Sequence, residues 1–245
     1  MGRVLEAHGL VKAYKRTTAV AGVDLSVGVG ERVALLGPNG AGKTTTLLML
    51  LGAITPDAGT VEVVGHRLPK GRSRAMESVG FAAGYLPLPD RLRVREVLGV
   101  FANLHGIARP EAVIAAGLER FRIGHLADAM STELSSGQRT LVGIVKATLH
   151  RPQLLVLDEP TASLDPDVAH RVREGLERIC DEEGTALLIT SHNMTDVERI
   201  CDRVVFLGNG LVAADGTPGE VARQFGRANL EEVFLHLAGQ EIDRQ

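Results

Sequence analysis

A chain of 245 residues is long enough for one large domain, or for a core with a smaller inserted lobe. Its 44% hydrophobic and 23% charged residues are ordinary for a globular protein, and with no Trp and 3% aromatics the core must be aliphatic. A formal charge of -3 excludes a basic footprint for nucleic acid, and no Lys/Arg run marks a membrane-surface anchor.

Residues 1–36 read as short alternating strands (VLEAHGL, AVAGVDLSV, ERVALLG) punctuated by glycines. A helix follows over 43–51, with Gly52 as its stop, then a strand VEVVGHRL and a short helix over 72–78. From 94 to 130 the pattern turns helical, its second part opened by Pro110, and this block (94–134) is the candidate inserted lobe. Helix 137–149 leads into the apolar strand LLVLD; helix 166–180, strand TALLIT, helix 193–201 and strand RVVFLG complete the pattern. Strands alternating with crossover helices predict a mostly parallel sheet covered on both faces.

Cys180 and Cys201 lie in apolar-periodic settings and read as buried free thiols of a reducing compartment. The longest apolar run, near 47–54, is far short of the ~18 residues of a spanning helix. The start MGRVLEAHGL has no signal-peptide core, and Glu6 stands where a myristoylation signal needs Ser or Thr. The expectation is a cytoplasmic chain that reaches a membrane only through a partner.

GPNGAGKT (37–44) fits G-x-x-x-x-G-K-[ST] in full, after the strand RVALL and before a helix. Gly37, Pro38, Asn39, Gly40, Ala41 and Gly42 form the loop whose N–H groups turn toward phosphate, helped by the partial positive charge of the helix N-terminus. Lys43 reaches the β- and γ-phosphates and the Thr44 hydroxyl holds Mg²⁺, with Thr45 beside it. A glycine-rich turn with an incidental lysine is the alternative, and the flanking strand and helix decide against it.

LLVLDEP (154–160) supplies the acids. Asp158 follows four apolar residues and suits a metal contact through water; Glu159 suits a general base for an attacking water. A solvated loop after a strand would look the same without the P-loop. TSH (190–192) ends the next apolar strand, and a parallel neighbour of LLVLD would bring His192 to the same sheet edge. His8, His66, His105, His125, His150, His170 and His236 have no such setting and read as structural.

ELSSGQRT (133–140) opens helix 137–149 with Ser135, Ser136 and Gly137, residues that cap a helix and receive an anion at its N-terminus. The helix ends near LLVLD, so its start is expected to face away from the P-loop of the same chain and to meet phosphate from another molecule.

With these motifs the chain resembles the ATP-binding-cassette (ABC) transporter ATPases over nearly its whole length. LSSGQ is similar to the family's LSGGQ signature, with Ser136 in place of the first glycine; LVLDEP resembles its acidic strand with catalytic glutamate, ASLD (162–165) its D-loop with Asp165, and TSH its switch histidine. Tyr14, in LVKAYKRTTAV, matches the aromatic that stacks on adenine; alone it would read as a surface tyrosine. The resemblance implies an α/β fold: a P-loop NTPase core (1–84 and 135–220) with a mostly parallel sheet and an N-terminal antiparallel β subdomain, an inserted α-helical subdomain (85–134), and a C-terminal helical tail (221–245). It also implies a head-to-tail dimer, most simply a homodimer, with two ATPs at the interface. Each P-loop would then face Ser135, Gly137 and Gln138 of the other copy, and the pair would drive integral membrane subunits from the inner face of the membrane.

The segments 191–218 and 229–239 look most like ATPases of bacterial and archaeal two-subunit exporters. An importer ATPase is the nearest alternative. A soluble ABC ATPase acting on DNA or ribosomes would bring long coiled coils or two cassettes, and a small-molecule kinase gives no reason for LSSGQ.

One position departs from the family. Its members carry, before the helical lobe, a strand ending in a glutamine that contacts Mg²⁺ and the attacking water. Aligned without gaps from LRVREVL (92–98), VGFAA (79–83) matches and the glutamine falls on Gly84, with no Gln or Asn from there to Val100. Slower or less tightly coupled hydrolysis is expected, with 85–89, from Tyr85 to Pro89, as the surface that docks the membrane partner.

Overall fold

In the computed structural model, which describes residues 2–15, 17–84, 86–162 and 164–242, two long antiparallel strands come first: β1 (Arg3–Tyr14) and β2 (Thr17–Gly28). Val23, Leu25 and Val27 recur at every second position of β2 and are buried, the period that buries one face of a strand. Strand β3 (Arg32–Leu36) leads to helix α1 (Lys43–Leu50), then β4 (Ala58–Val63) and β5 (His66–Arg67). The expected single strand VEVVGHRL is therefore a hairpin: Glu62 pairs with Arg67 and Val63 with His66 around Val64 and Gly65, at φ 48° and 73°. A type I′ two-residue hairpin turn needs positive φ at both positions; Gly65 signals this, but a β-branched Val64 hides it.

Helix α2 (Arg72–Met76) and strand β6 (Val79–Ala83) precede the inserted block, which is α3 (Val94–Leu104), α4 (Pro110–Arg120) and single 3-10 turns at Gly124–Leu126 and Ser131–Glu133. Next come α5 (Ser136–Thr148), β7 (Leu154–Asp158), α6 (Pro166–Glu183), β8 (Ala186–Thr190), α7 (Met194–Ile200) and β9 (Arg203–Gly208). Strand β10 (Leu211–Gly216) escapes the sequence reading, although Asn209-Gly210 before it is a strong hairpin signal. The tail helices are α8 (Pro218–Gln224) and α9 (Leu230–Ile242); a boundary at 221 falls inside α8, which opens at Pro218 because proline suits a first helical turn. Tyr85, within the expected docking segment, Ser163, within ASLD, and 243–245 of the expected tail lie outside the described residues.

The strands form two sheets, a four-stranded antiparallel one ordered β2-β1-β4-β5 and a six-stranded one ordered β10-β9-β3-β8-β7-β6. In the second, β9, β3, β8, β7 and β6 are parallel and β10 is an antiparallel edge. This is the expected α/β architecture with its antiparallel sheet and helical insert.

Strict alternation splits the central strands between two cores. Val33, Leu35, Leu154, Val156 and Leu188 pack with Leu47, Met49 and Leu50 of α1 and with the antiparallel sheet. Ala34, Leu36, Leu155, Leu157 and Ile189 pack with the helices on the other face, including α3, α5 and α6. Both faces are thus covered, as parallel sheets require. Cys180 and Cys201 are buried free thiols as expected; burial pushes the Cys180 thiol up to about 11 and raises that of Cys201 further. His105 and His150, read as structural, stack with ring centroids 3.8 Å apart between the ends of α3 and α5. Burial, and then His105, pushes the His150 imidazole down to about 4.

Candidate active site

The chain leaves β3 into a loop that only glycine can build at its two ends. Gly37 has φ 145° and Gly42 φ 99°. A Cβ at Gly37 would strike the carbonyl oxygen of Leu207 on β9, and one at Gly42 that of Ala19 on β2. Pro38 and Ala41 are buried, the Ala41 N–H donating to the Pro38 carbonyl at 3.2 Å, while Asn39 and Gly40 are exposed. Lys43, 8% exposed at the start of α1, donates from Nζ to the carbonyls of Gly37 (2.7 Å) and Pro38 (3.0 Å). The ammonium is therefore held over the loop that would receive phosphate, beside the first N–H groups of the helix. Thr44 is exposed and Thr45 half-buried.

Parallel register joins this loop to the acids. Alternation puts Asp158 on the same face of the sheet as Val156, the face covered by α1, and Asp158 pairs with Thr190 across β7 and β8. The Thr190 hydroxyl donates to Asp158 Oδ1 at 2.5 Å and accepts the Glu159 N–H at 3.0 Å. Glu159 sits at φ 52°, a strained conformation for a non-glycine residue, and the Thr190 carbonyl takes its N–H as well, at 3.2 Å. That turn aims the carboxylate at His192, whose Nε2 lies 2.9 Å from Glu159 Oε1. The loop carrying His192 is fixed on both sides. Asn193 donates its N–H to Ser191 Oγ at 3.0 Å, and its side chain caps α7 by accepting the Asp196 N–H at 3.2 Å. Thr190, quoted in TSH but given no task by the sequence, is thus the residue that orders both acids.

Thr44, Gly84, Asp158 and Glu159 line one cleft of about 650 Å³. Ser136 and Thr140 of α5 border the same cleft, whereas Ser135, Gly137 and Gln138 are not among the residues that line it. Ser135 and Gln138 form a capping box: the Gln138 N–H donates to Ser135 Oγ at 3.2 Å, and the Ser135 N–H to Gln138 Oε1 at 2.9 Å. Gly137 is buried, with room for a Cβ only 3.2 Å from Val168 of α6. Asp165 is exposed at the N-cap of α6 without a side-chain capping bond. Tyr14, 48% exposed at the end of β1, has Lys12 Nζ 5.9 Å from its ring centroid and is not among the residues lining the cleft.

A family model described as ABC transporter matches residues 20–162, more than half of the 245 in the chain. The chain belongs to the ABC transporter family. Over 216 residues it is 39% identical to the Nod factor export ATP-binding protein I of Burkholderia orbicola (strain AU 1054), covering 87% of this chain and 71% of that protein. It is 32% identical over 225 residues to the linearmycin resistance ATP-binding protein LnrL of Bacillus subtilis (strain 168), covering 91% and 72%. A solved ATP-binding subunit of an ABC transporter superposes with a TM-score of 0.87 at 32% identity, covering 96% of this chain and 99% of that one. This ABC chain is an ATP-binding subunit and an ATPase. No helix among its described residues is long and apolar enough to cross a membrane.

Proposed function

We propose that two copies of this ABC ATPase close around two ATP molecules with Mg²⁺, and that closure drives export through separate membrane-spanning subunits. The observation that carries the chemistry is the 2.9 Å pairing of Glu159 with His192, beside an Asp158 already oriented by Thr190. Thr44 and Asp158 offer a hydroxyl and a carboxylate, the hard oxygen donors that suit Mg²⁺ alongside phosphate and water. Bound there, that ion would supply positive charge to offset the charge on the phosphates. Lys43 exchanges the carbonyls of Gly37 and Pro38 for phosphate oxygens, Glu159 takes the proton of the attacking water, and His192 holds the Glu159 carboxylate in place.

Adenine would stack on Tyr14, whose exposed ring leaves a face available. The second half of each site would come from Ser135, Gly137 and Gln138 of the other copy, with Asp165 at the same seam. Ser135 is exposed at the N-terminus of α5, where a γ-phosphate meets helix N–H groups. Lys43, Asp158, Glu159 and His192 are all present in one chain, which favours a homodimer. Export fits the names of the relatives, one exporting Nod factor and one conferring linearmycin resistance. The ATPase would lie at the inner face of the membrane, docked through 85–89 at the start of the helical lobe 85–134, with core 1–84 and 135–220 carrying the nucleotide.

Ser135→Arg tests the pairing. It is expected to abolish hydrolysis while ATP binding to the single copy, followed by calorimetry, stays near wild type; loss of both together argues against a site completed in trans. Gly84→Gln tests the departure from the family. Ala83 pairs with Asp158 at the end of β6, Gly84 lines the cleft, and a Cβ at Gly84 meets nothing within 4 Å, so the backbone has room for a side chain at this position. One added hydrogen bond to the water or metal raises the steady-state ATPase rate roughly two- to tenfold. An unchanged rate would mean that the missing amide is not limiting.

A further inference from the structure

Helix α9 reaches the catalytic histidine. Its ridge is apolar at the spacing of a packed helix face: Leu230 and Val233 are fully buried, Leu237 nearly so, and the half-buried Phe234 packs against the same core. The ring of Phe234 meets the ring of His192 edge to face, with centroids 5.8 Å apart and planes at 85°. This is a favourable geometry for two aromatic rings. The same imidazole places its Nε2 2.9 Å from Glu159 Oε1. His192 therefore contacts both the Glu159 carboxylate and the ring of Phe234, a residue 42 positions further along the chain.

The helix is itself fixed to the loop it braces. The Leu230 N–H at the start of α9 donates to Glu198 of α7 at 3.0 Å, and Asn229 caps α9 by accepting the Glu232 N–H at 3.0 Å. Helix α7 begins two residues after His192 and is capped by Asn193. A shift of α9 is thus transmitted to α7 through Glu198 and to the imidazole through Phe234.

We propose that Phe234 is a positioning residue for ATP hydrolysis, acting through His192: its ring selects the imidazole orientation that holds Glu159 ready to accept a proton. The inference rests on the role given to His192 above. Without the ring, the imidazole keeps its Glu159 contact but gains rotational freedom about its side-chain torsions, so fewer molecules at any instant hold the base aligned. ATP binding, which rests on the loop 37–44 and on Tyr14, uses neither Phe234 nor α9 and is expected to be unchanged.

Phe234→Leu keeps an apolar side chain against the core and removes the ring, which separates the contact from general packing. In the full-length chain, its kcat for ATP is expected to fall roughly two- to tenfold, with KM near wild type, and Phe234→Tyr to restore the rate. The same leucine placed in a His192→Ala background should lower the residual rate no further, because the ring acts only through the imidazole. Wild-type kcat in Phe234→Leu overturns the proposal, and so does an equal further loss in the His192→Ala background, which would mark Phe234 as a packing residue alone. If His192→Ala by itself hydrolyses at the wild-type rate, the role of His192 fails, and that single variant reports it separately.

Discussion

Glu159→Gln is expected to lower ATP hydrolysis by roughly 10²–10⁴ while ATP binding persists and the nucleotide-bound dimer accumulates. The amide has the shape of the carboxylate and still accepts a hydrogen bond from His192, so the 2.9 Å contact survives. What it lacks is the capacity to take a proton from water. The φ of 52° at this position and the two bonds of its N–H to Thr190 are backbone features, unaffected by the change of side chain. The substitution therefore isolates chemistry from fold. Steady-state phosphate release, ATP titration and sedimentation of the variant check the three expectations. Hydrolysis at the wild-type rate would remove Glu159 from the role of base.

Lys43→Ala is expected to weaken ATP binding by about 2–5 kcal/mol, roughly thirtyfold or more in Kd. The reason lies in what the ammonium does before nucleotide arrives. Only 8% exposed, it is solvated by the Gly37 and Pro38 carbonyls at 2.7 and 3.0 Å, so it is already desolvated and aimed. Exchanging neutral carbonyls for phosphate oxygens converts two ordinary bonds into charge-assisted ones. Alanine leaves both carbonyls without that donor and the phosphate without a counter-charge. ATP titration by calorimetry, with thermal unfolding to confirm that the variant is folded, reads the result. Tight binding retained in Lys43→Ala would contradict the phosphate site.

Much of the site is legible because its signals are short. The loop 37–44 states its own conformation, since a strand, glycines at forced φ values and a helix start follow one another within eight residues. Asp158 and Glu159 are legible from four apolar residues before them. The errors fall where a residue's identity argues against its conformation, as at Val64, a β-branched residue at φ 48° that conceals a hairpin. They also fall where a signal is present but unweighted, as with Asn209-Gly210 before β10.

The sequence by itself determined the family, from its motifs, and the α/β pattern, because each is written in neighbouring positions or in a period of two or 3.6; it also nominated the candidate phosphate loop 37–44. Tertiary structure alone decided how the acids are ordered. Thr190 serves both Asp158 and Glu159 only because β7 and β8 lie parallel in one register, which no local pattern states. It also decided that Phe234 meets His192, since that contact depends on where α9 docks after the sheet is complete. Local propensity sets which groups are available; the packing of distant elements sets which of them touch.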